Sequence, residues 1–383
     1  IEQKGDHEER YALRPTSEAI INDSYAKWIR SWRDLPLKLN QWANIIRWEV
    51  QDCKLFLRTR EFLWQEGHCV YETEEECHKE TLHYLERYRQ VSEDLLAIPV
   101  WLGRKTEREK FAGAKETYGI EGFMPDGKAL QMGTSHDLGQ NFAKAFGINF
   151  QSRDEKPTLP WQNSWGISTR LIGAVIMTHG DDKGLIIPPR AAKHKVAIVP
   201  IIFKGDTTPV KECEKLAKEL KEFKPILDAR EEYSAGWKFN KYELEGIPLR
   251  VEMGPRDIKN DEVVIVRRDT GEKISVKRKG AGKKISALLE TMHTDMFAKA
   301  KKEASAMILT PKNYEDFKKN IKDRKVNYCA HCGNDACELA IKEETAATTR
   351  NIPLGKEAEP KKGFVCIKCG KAAEYMVYFA RAY

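Results

Sequence analysis

Between residues 44 and 68 two strand-like runs flank a short loop, and each run places charged or aromatic side chains two positions apart. Asn44–Val50 is apolar and β-branched around Arg47 and Glu49, so a strand there projects both from one face. Gln51–Leu57 reads as the loop and Arg58–His68 as the returning strand, with Trp64, Glu66 and His68 sharing a face. An aromatic wall, a carboxylate and an imidazole in a row suit a small-molecule pocket. Arg47 on its strand and Arg58 off the loop suit a phosphate clamp. The same residues also suit an exposed hairpin with cross-strand ion pairs, so the neighbouring segments matter.

Arg14-Pro-Thr16-Ser-Glu18 sets a hydroxyl and a carboxylate two apart before an amphipathic helix, which is also a capping pattern. Gln131-Met-Gly-Thr134-Ser-His136 follows a hairpin with its turn at Asp126-Gly127 and precedes a helix over Leu138–Phe146. A lone histidine in such a place is more often structural. Asn163–Arg170 then carries Ser168 and Arg170 to the mouth of an apolar, glycine-containing element, Leu171–Gly180. A helix over Glu74–Ile98 fills much of the 62 residues between His68 and Gln131.

Length and charge bound the rest. The 383 residues suffice for two or three domains with sizeable cores. The longest clean apolar run, Val196–Phe203, is far short of the ~18 residues a membrane-spanning helix needs, so no membrane partner is expected. Glycine content, missing heptads and apolar content argue against collagen-like, coiled-coil and disordered chains. The net charge of +7 is uneven. Residues 1–190 carry 26 lysines and arginines against 29 acids, a net of −3, and residues 191–383 carry 39 against 29, a net of +10. The second half is the candidate for meeting a polyanion, although a well-solvated basic surface has the same composition.

Residues 192–290 alternate strand (Val196–Ile202), helix (Val210–Phe223) and strands (Leu249–Met253, Val263–Arg267), which suggests a small α/β domain with a partly parallel sheet. A helix over Ala287–Met307 opens the last segment. Gly280-Ala-Gly-Lys-Lys284 lacks the first glycine and the hydroxyl of a P-loop. Five of the nine cysteines fall in the last 55 residues, which points to reducing surroundings and a metal site rather than disulfides. Zinc wants four ligands, and spacing alone favours two Cys-x-x-Cys-Gly knuckles, Cys329/Cys332 with Cys366/Cys369. Cys53, Cys69, Cys77 and Cys213 read as packing residues, with Cys69 beside the pocket.

Taken together, these segments resemble the class II aminoacyl-tRNA synthetases, and within them the prolyl-tRNA synthetases of the archaeal/eukaryotic type. The T-x-E loop matches at Thr16 and Glu18, and class motif 2 from Arg47-Trp-Glu49 through His68. The Gly-Thr-Ser-His segment matches at 133–136, and motif 3 at Ser164–Arg170 with Gly180–Arg190. Where many relatives carry threonine this chain has Ser168, which keeps the hydroxyl. Class motif 1 should precede Thr16 by several tens of residues, and only fifteen stand there, so the chain reads as N-terminally incomplete. The signature segments of class I synthetases are absent.

The resemblance implies an α+β chain. Residues 1–191 would be the catalytic domain, an antiparallel sheet flanked by helices; residues 192–290 an anticodon-binding α/β domain; residues 291–383 a small C-terminal α/β zinc domain. It implies ligation of L-proline to tRNA(Pro) through a prolyl-adenylate, with ATP and Mg²⁺, in the cytoplasm and as a homodimer, and no inserted editing domain. Arg47, Arg58 and Arg170 would be the catalytic residues. Proline would meet Thr16, Glu18, Arg47, Trp64, Glu66, His68 and His136. ATP would meet Arg47, Glu49, Arg58, Thr59, Gln131, Thr134, Ser168 and Arg170. The family's Cys-x4-Cys pattern puts structural Zn²⁺ on Cys332, Cys337, Cys366 and Cys369, leaves Cys329 spare, and brings Tyr383 back near the active site. Arg267–Lys284, eight basic residues against two acidic, would suit tRNA phosphates, with Glu252, Arg256 and Lys279 as candidate base readers. A threonine-type synthetase or a non-catalytic synthetase-like factor is the alternative; Thr16, Glu18, the Trp64–His68 run and the three retained arginines argue against both.

Overall fold

A computed structural model describes residues 12–203 and 206–383. The described residues fall into two compact units. One comprises residues up to Val91, Val100–Ala174 and Ala304–Tyr383; the other comprises Ser92–Pro99 and Val175–Glu303.

In the first unit, α1 (Glu18–Trp28) leads to β1 (Leu37–Ile46) and β2 (Glu61–Tyr71), which pair antiparallel with Gln41 opposite Glu66. Next come α2 (Glu74–Gln90), β3 (Trp101–Arg104), β4 (Glu116–Phe123), β5 (Ala129–Gly139) and α3 (Asn141–Phe146). A two-residue pair, β6 (Phe150–Gln151) with β7 (Pro157–Thr158), precedes β8 (Trp161–Ser168) and α4 (Arg170–His179). These strands form one antiparallel sheet in the order β1-β2-β8-β5-β4-β3. Helix α2 packs across β4, β5 and β8. Tyr25, Ile29, Val70, Ala143, Ile148 and Phe150 close a core between α1, α3 and the sheet. Each fully buried aliphatic among them contributes roughly 1.5–3 kcal/mol.

Three local expectations are corrected. The first strand stops at Ile46, so Arg47, Trp48 and Glu49 lie in a turn rather than on one strand face. The turn is closed by Val50 N–H donating to Arg47 O at 3.4 Å, while Arg47 N–H still reaches Arg60 O at 2.7 Å across the hairpin. The helix expected to run to Ile98 ends at Gln90 and passes through a wide turn at Val91–Leu95, after which Ala97 takes φ +54° and Ile98 N–H donates back to Ser92 O at 2.8 Å, closing the helical run. The helix expected from Leu138 starts at Asn141, because Leu138 and Gly139 still belong to β5 and Gly139 takes φ +56°.

The second unit has a mixed sheet. Its elements are β9 (Val196–Pro200), α5 (Thr208–Glu219), β10 (Ile226–Leu227), α6 (Ala235–Leu244), β11 (Leu249–Met253), α7 (Pro255–Lys259), β12 (Glu262–Arg267) and β13 (Lys273–Lys277). The strand order is β10-β9-β11-β12-β13, parallel at β10/β9/β11 and antiparallel beyond. The helix expected over Ala287–Met307 is α8 (Ala281–Ser305), which starts six residues earlier. Val196, Ile198, Leu216, Val251, Ile265 and Ile285 form the centre of its core.

The C-terminal segment adds β14 (Ile308–Leu309), α9 (Tyr314–Lys322), β15 (Val326–His331), α10 (Asp335–Thr345), β16 (Thr348–Thr349), β17 (Ile352–Pro353) and β18 (Tyr375–Ala380). Four of its strands pair in the order β14-β15-β18-β16, and β17 joins the large sheet beside β3. A buried ion cluster fastens the junction. Glu121 on β4 is fully buried, with Lys105 Nζ 2.6 Å away and Arg350 donating two bonds of 2.9 and 3.0 Å. Burial alone would push Glu121's carboxyl up, but Arg350 and Lys105 hold it below the ordinary range.

Candidate active site

Two adjoining cavities open on β2, β5 and β8 and share Arg47, Trp64, Gln131, Thr134 and Gly166. Register explains the convergence: Trp64 stands opposite Ser168, Glu66 opposite Gly166, and Gly166 opposite Thr134. Period-2 alternation then sends Trp64, Glu66 and His68 to the same face.

The smaller cavity, about 210 Å³, is acidic and aromatic. Thr16, Glu18, Glu66, His68 and His136 all line it, with Trp64 as a wall. Thr16 Oγ1 donates to Glu18, and Ser164 Oγ reaches Glu18 Oε1 at 3.4 Å. Ser17 does not cap α1 with its side chain; its hydroxyl donates to Glu66 instead. Gln41 Nε2 donates to Glu66 Oε1 at 2.6 Å, and His68 Nε2 lies 2.9 Å from Glu66 Oε2. A carboxylate this buried would cost several kcal/mol if unpartnered. Burial by itself raises Glu66's pKa, and the bonds from His68, Ser17 and Gln41 hold it below the usual carboxylate range. The Trp64 indole N–H is buried with no hydrogen-bond partner among the described residues, a donor left for an occupant. Carboxylates and aromatic walls together fit a compact ligand with an apolar body and a cationic group.

The larger cavity, about 380 Å³, is cationic. Arg47, Glu49, Arg58, Thr59, Gln131, Thr134, Ser168 and Arg170 line it, beside Phe62 and Tyr383. Arg170 is pinned by Nε to Leu57 O at 3.0 Å and by Nη1 to Gln131 O at 2.9 Å. Arg47 lies 5.3 Å over the Phe62 ring, its Nε bonded to Pro15 O at 3.3 Å, where both cavities meet. Three guanidinium groups around one opening suit a polyphosphate. Tyr383 donates its hydroxyl to Asp126 and takes Lys54 and Lys128 over its ring at 5.6 and 5.1 Å.

Every residue expected at the proline and ATP sites thus lines one or both cavities. Sequence reading missed Ser17, Gln41, Phe111, Thr117 and Trp165. The register of Gln41 against Glu66 was the available signal for the second of these.

At the C-terminus, the thiols of Cys332, Cys337, Cys366 and Cys369 lie within 4.8 Å of one another, and Cys369 Sγ is 3.7 Å from Cys332 Sγ. Cys329, favoured by spacing alone, faces inward from β15 into the core formed with Phe317, Ile341 and Val377. The first turn of α10 brings Cys337 in instead. A hydrogen bond from the Lys371 N–H pulls the exposed Cys369 thiol down to about 7, which favours the thiolate a soft metal needs. Among the other cysteines, Cys69, Cys77 and Cys213 are buried as expected, but Cys53, expected to pack, is exposed in the loop after β1.

In the second unit the basic run 267–284 is largely committed to internal pairs. Arg267 bonds Asp269 and Asp295, Arg268 bonds Asp181, and Arg278 bonds Glu212 and Glu219. Lys273 and Lys277 lie near Glu252 and Glu262, and Glu252 is buried against Arg250 at 2.9 Å. Among the described residues Lys279, Lys283 and Lys284 make no ion pair.

No helix among the described residues is long and apolar enough to cross a membrane. Residues 2–179 match the family tRNA synthetase class II core domain (G, H, P, S and T). Residues 195–288 match the anticodon binding domain, and residues 314–383 the C-terminal domain of prolyl-tRNA synthetase. The chain is 48% identical to the proline--tRNA ligase of Natranaerobius thermophilus, over all of this chain and 80% of that protein. It is 49% identical to the one from Acetoanaerobium sticklandii and 47% to proline--tRNA ligase 2 of Clostridioides difficile, over 98% of this chain and 78% of each. By sequence kinship along its whole length, the chain belongs to the prolyl-tRNA synthetases, class II aminoacyl-tRNA synthetases with an antiparallel catalytic sheet and an anticodon-binding domain.

Proposed function

We propose that the chain activates L-proline with ATP and transfers it to tRNA(Pro). The proline carboxylate attacks the α-phosphorus, pyrophosphate leaves, and a ribose hydroxyl of the terminal tRNA adenosine then attacks the prolyl carbonyl and releases AMP. No covalent enzyme intermediate is required, so positioning and charge stabilisation dominate. The observation carrying this reading is Arg47, which stands where an acid-lined cavity adjoins an arginine-lined one. There it would bridge the proline carboxylate and the α-phosphate as charge spreads.

Thr16 and Glu18 would accept the two N–H groups of proline's secondary ammonium, with Trp64, Glu66, His68 and His136 shaping the ring pocket. Glu49, Arg58, Thr59, Thr134 and Ser168 would hold adenosine and phosphates, with Arg170 and Gln131 on the γ-phosphate side. Mg²⁺ would arrive on the phosphates as part of the substrate. Cys332, Cys337, Cys366 and Cys369 would hold a structural Zn²⁺; four converging thiols are the donor set zinc prefers. Residues 1–191, 192–290 and 291–383 would divide into catalytic, anticodon-binding and zinc domains, working as a homodimer in the cytoplasm.

Amino-acid-dependent ATP–pyrophosphate exchange tests the assignment: proline should support exchange, and threonine should not. A pocket for a small apolar ring rejects smaller side chains by only about 1–3 kcal/mol per methylene. Slower exchange with alanine and cysteine is therefore expected, with no cis editing domain to correct it. Exchange with threonine but not proline would overturn the reading.

A further inference from the structure

Thr117 on β4 and His136 on β5 are direct register partners, so their side chains share the face of the acidic cavity. Thr117 is buried, and its Oγ1 accepts the Phe111 backbone N–H at 3.0 Å. The same oxygen lies 3.0 Å from His136 Nδ1. The hydroxyl proton needs an acceptor, and among the described residues Nδ1 is the one within reach. Accepting from Nδ1–H instead would leave that proton buried without a partner, which is disfavoured. Burial, with His68 nearby, pulls the His136 pKa down to about 3, so the ring is neutral at physiological pH. Phe111 lies against the imidazole, ring centres 4.8 Å apart. Nε2 makes no hydrogen bond among the described residues.

We propose that Thr117 is a positioning residue that fixes His136 as the neutral tautomer with its proton on Nε2, presented to the ligand. This inference rests on the cavity being the proline site. A neutral ring puts no cation against the secondary ammonium, which would meet Thr16 and Glu18 instead. The fixed Nε2–H offers a donor to a ligand oxygen, whereas the other tautomer would oppose that oxygen with a lone pair.

Selective ¹⁵N-histidine labelling reads the tautomer directly, with the His136 signals assigned by their loss in His136→Gln. In the wild type and in Thr117→Ser, which keeps the hydroxyl, Nδ1 should be unprotonated. In Thr117→Val, which keeps the β-branched shape, Nδ1 should gain a protonated population. KM for proline in pyrophosphate exchange should rise about tenfold in Thr117→Val and stay within about twofold in Thr117→Ser, with KM for ATP within about twofold in both. A proton on Nδ1 in the wild type overturns the assignment, as does a Thr117→Val enzyme with wild-type tautomer and wild-type KM for proline. His136 signals unmoved by saturating proline would overturn the proline-site reading instead, leaving the tautomer assignment standing.

Discussion

Gln41 donates its side-chain amide to Glu66 Oε1 at 2.6 Å, across the β1–β2 register, and to Ser17 Oγ at 2.8 Å. One amide thereby ties the loop carrying Thr16 and Glu18 to the strand carrying Trp64, Glu66 and His68. Gln41→Leu would leave Glu66 with one fewer donor in a buried setting. A stability loss of about 1–3 kcal/mol by denaturant unfolding is expected, with KM for proline raised and KM for ATP unchanged. Equal shifts in both constants would contradict a role confined to the proline side.

Glu66 also sets a pH limit. Its carboxyl is held below the ordinary value, so the folded state binds its proton less tightly than the unfolded chain does. The stability this contributes is complete above the unfolded pKa near 4.3, and is lost as pH falls through the lower folded value. Glu66→Gln should flatten the loss of stability between about pH 5 and 3. An acid limb identical to the wild type would count against the network.

Arg47 is half-buried, and its one side-chain hydrogen bond among the described residues is to Pro15 O. Arg47→Ala should cut proline-dependent exchange by at least about 10²-fold, the scale seen when a transition-state charge donor is removed. Circular dichroism and Tm should remain close to wild type. Near-normal exchange would remove Arg47 from its assigned role.

Gly67 lies between Glu66 and His68, and a Cβ there would meet the Trp165 ring at 2.1 Å. Trp165 is stacked on Tyr84 at 3.8 Å and cannot retreat without breaking that pair. Gly67→Ala should therefore destabilise by about 1–3 kcal/mol. A melting curve matching wild type would show that the ring yields freely.

The cysteine cluster separates two variants. Cys337→Ser should lose bound zinc as read by metal stoichiometry, and Cys329→Ser should keep it. The reverse result would restore the ligand set that spacing alone favours. Breaking the Glu121 cluster gives an independent measure of how firmly the C-terminal segment is held. Glu121→Gln leaves two buried cations poorly matched, and a loss of about 3–5 kcal/mol is expected from denaturant titration.

Much of the site was legible before folding. Trp64, Glu66 and His68 reveal a shared face because strand periodicity depends on local backbone geometry alone. The ordered motifs from Thr16 to Arg170 identify the family without any contact being known. The turn at Arg47–Glu49 was not legible, since the apolar, β-branched run continues into the turn that Val50 N–H closes on Arg47 O. Spacing alone favoured Cys329, whereas the family pattern already pointed to Cys337. Strand β15 sends the Cys329 thiol into the core, and only the placement of α10 brings Cys337 to the other three.

The amino-acid sequence by itself determined the catalytic chemistry on offer: which acids, arginines and aromatic rings the chain carries, and in what order. Tertiary structure alone decided which of them meet. Glu18, Glu66 and His136 come from a helix start and two strands, and only sheet register places them around one cavity. It also decided that much of the basic run 267–284 neutralises acids within its own unit, with Arg267 and Arg268 buried in pairs. The physical reason is common to both. Side-chain identity and local periodicity are properties of short stretches, whereas hydrogen-bond partners, burial and shifted protonation depend on residues remote in sequence, which only the packed fold brings within reach.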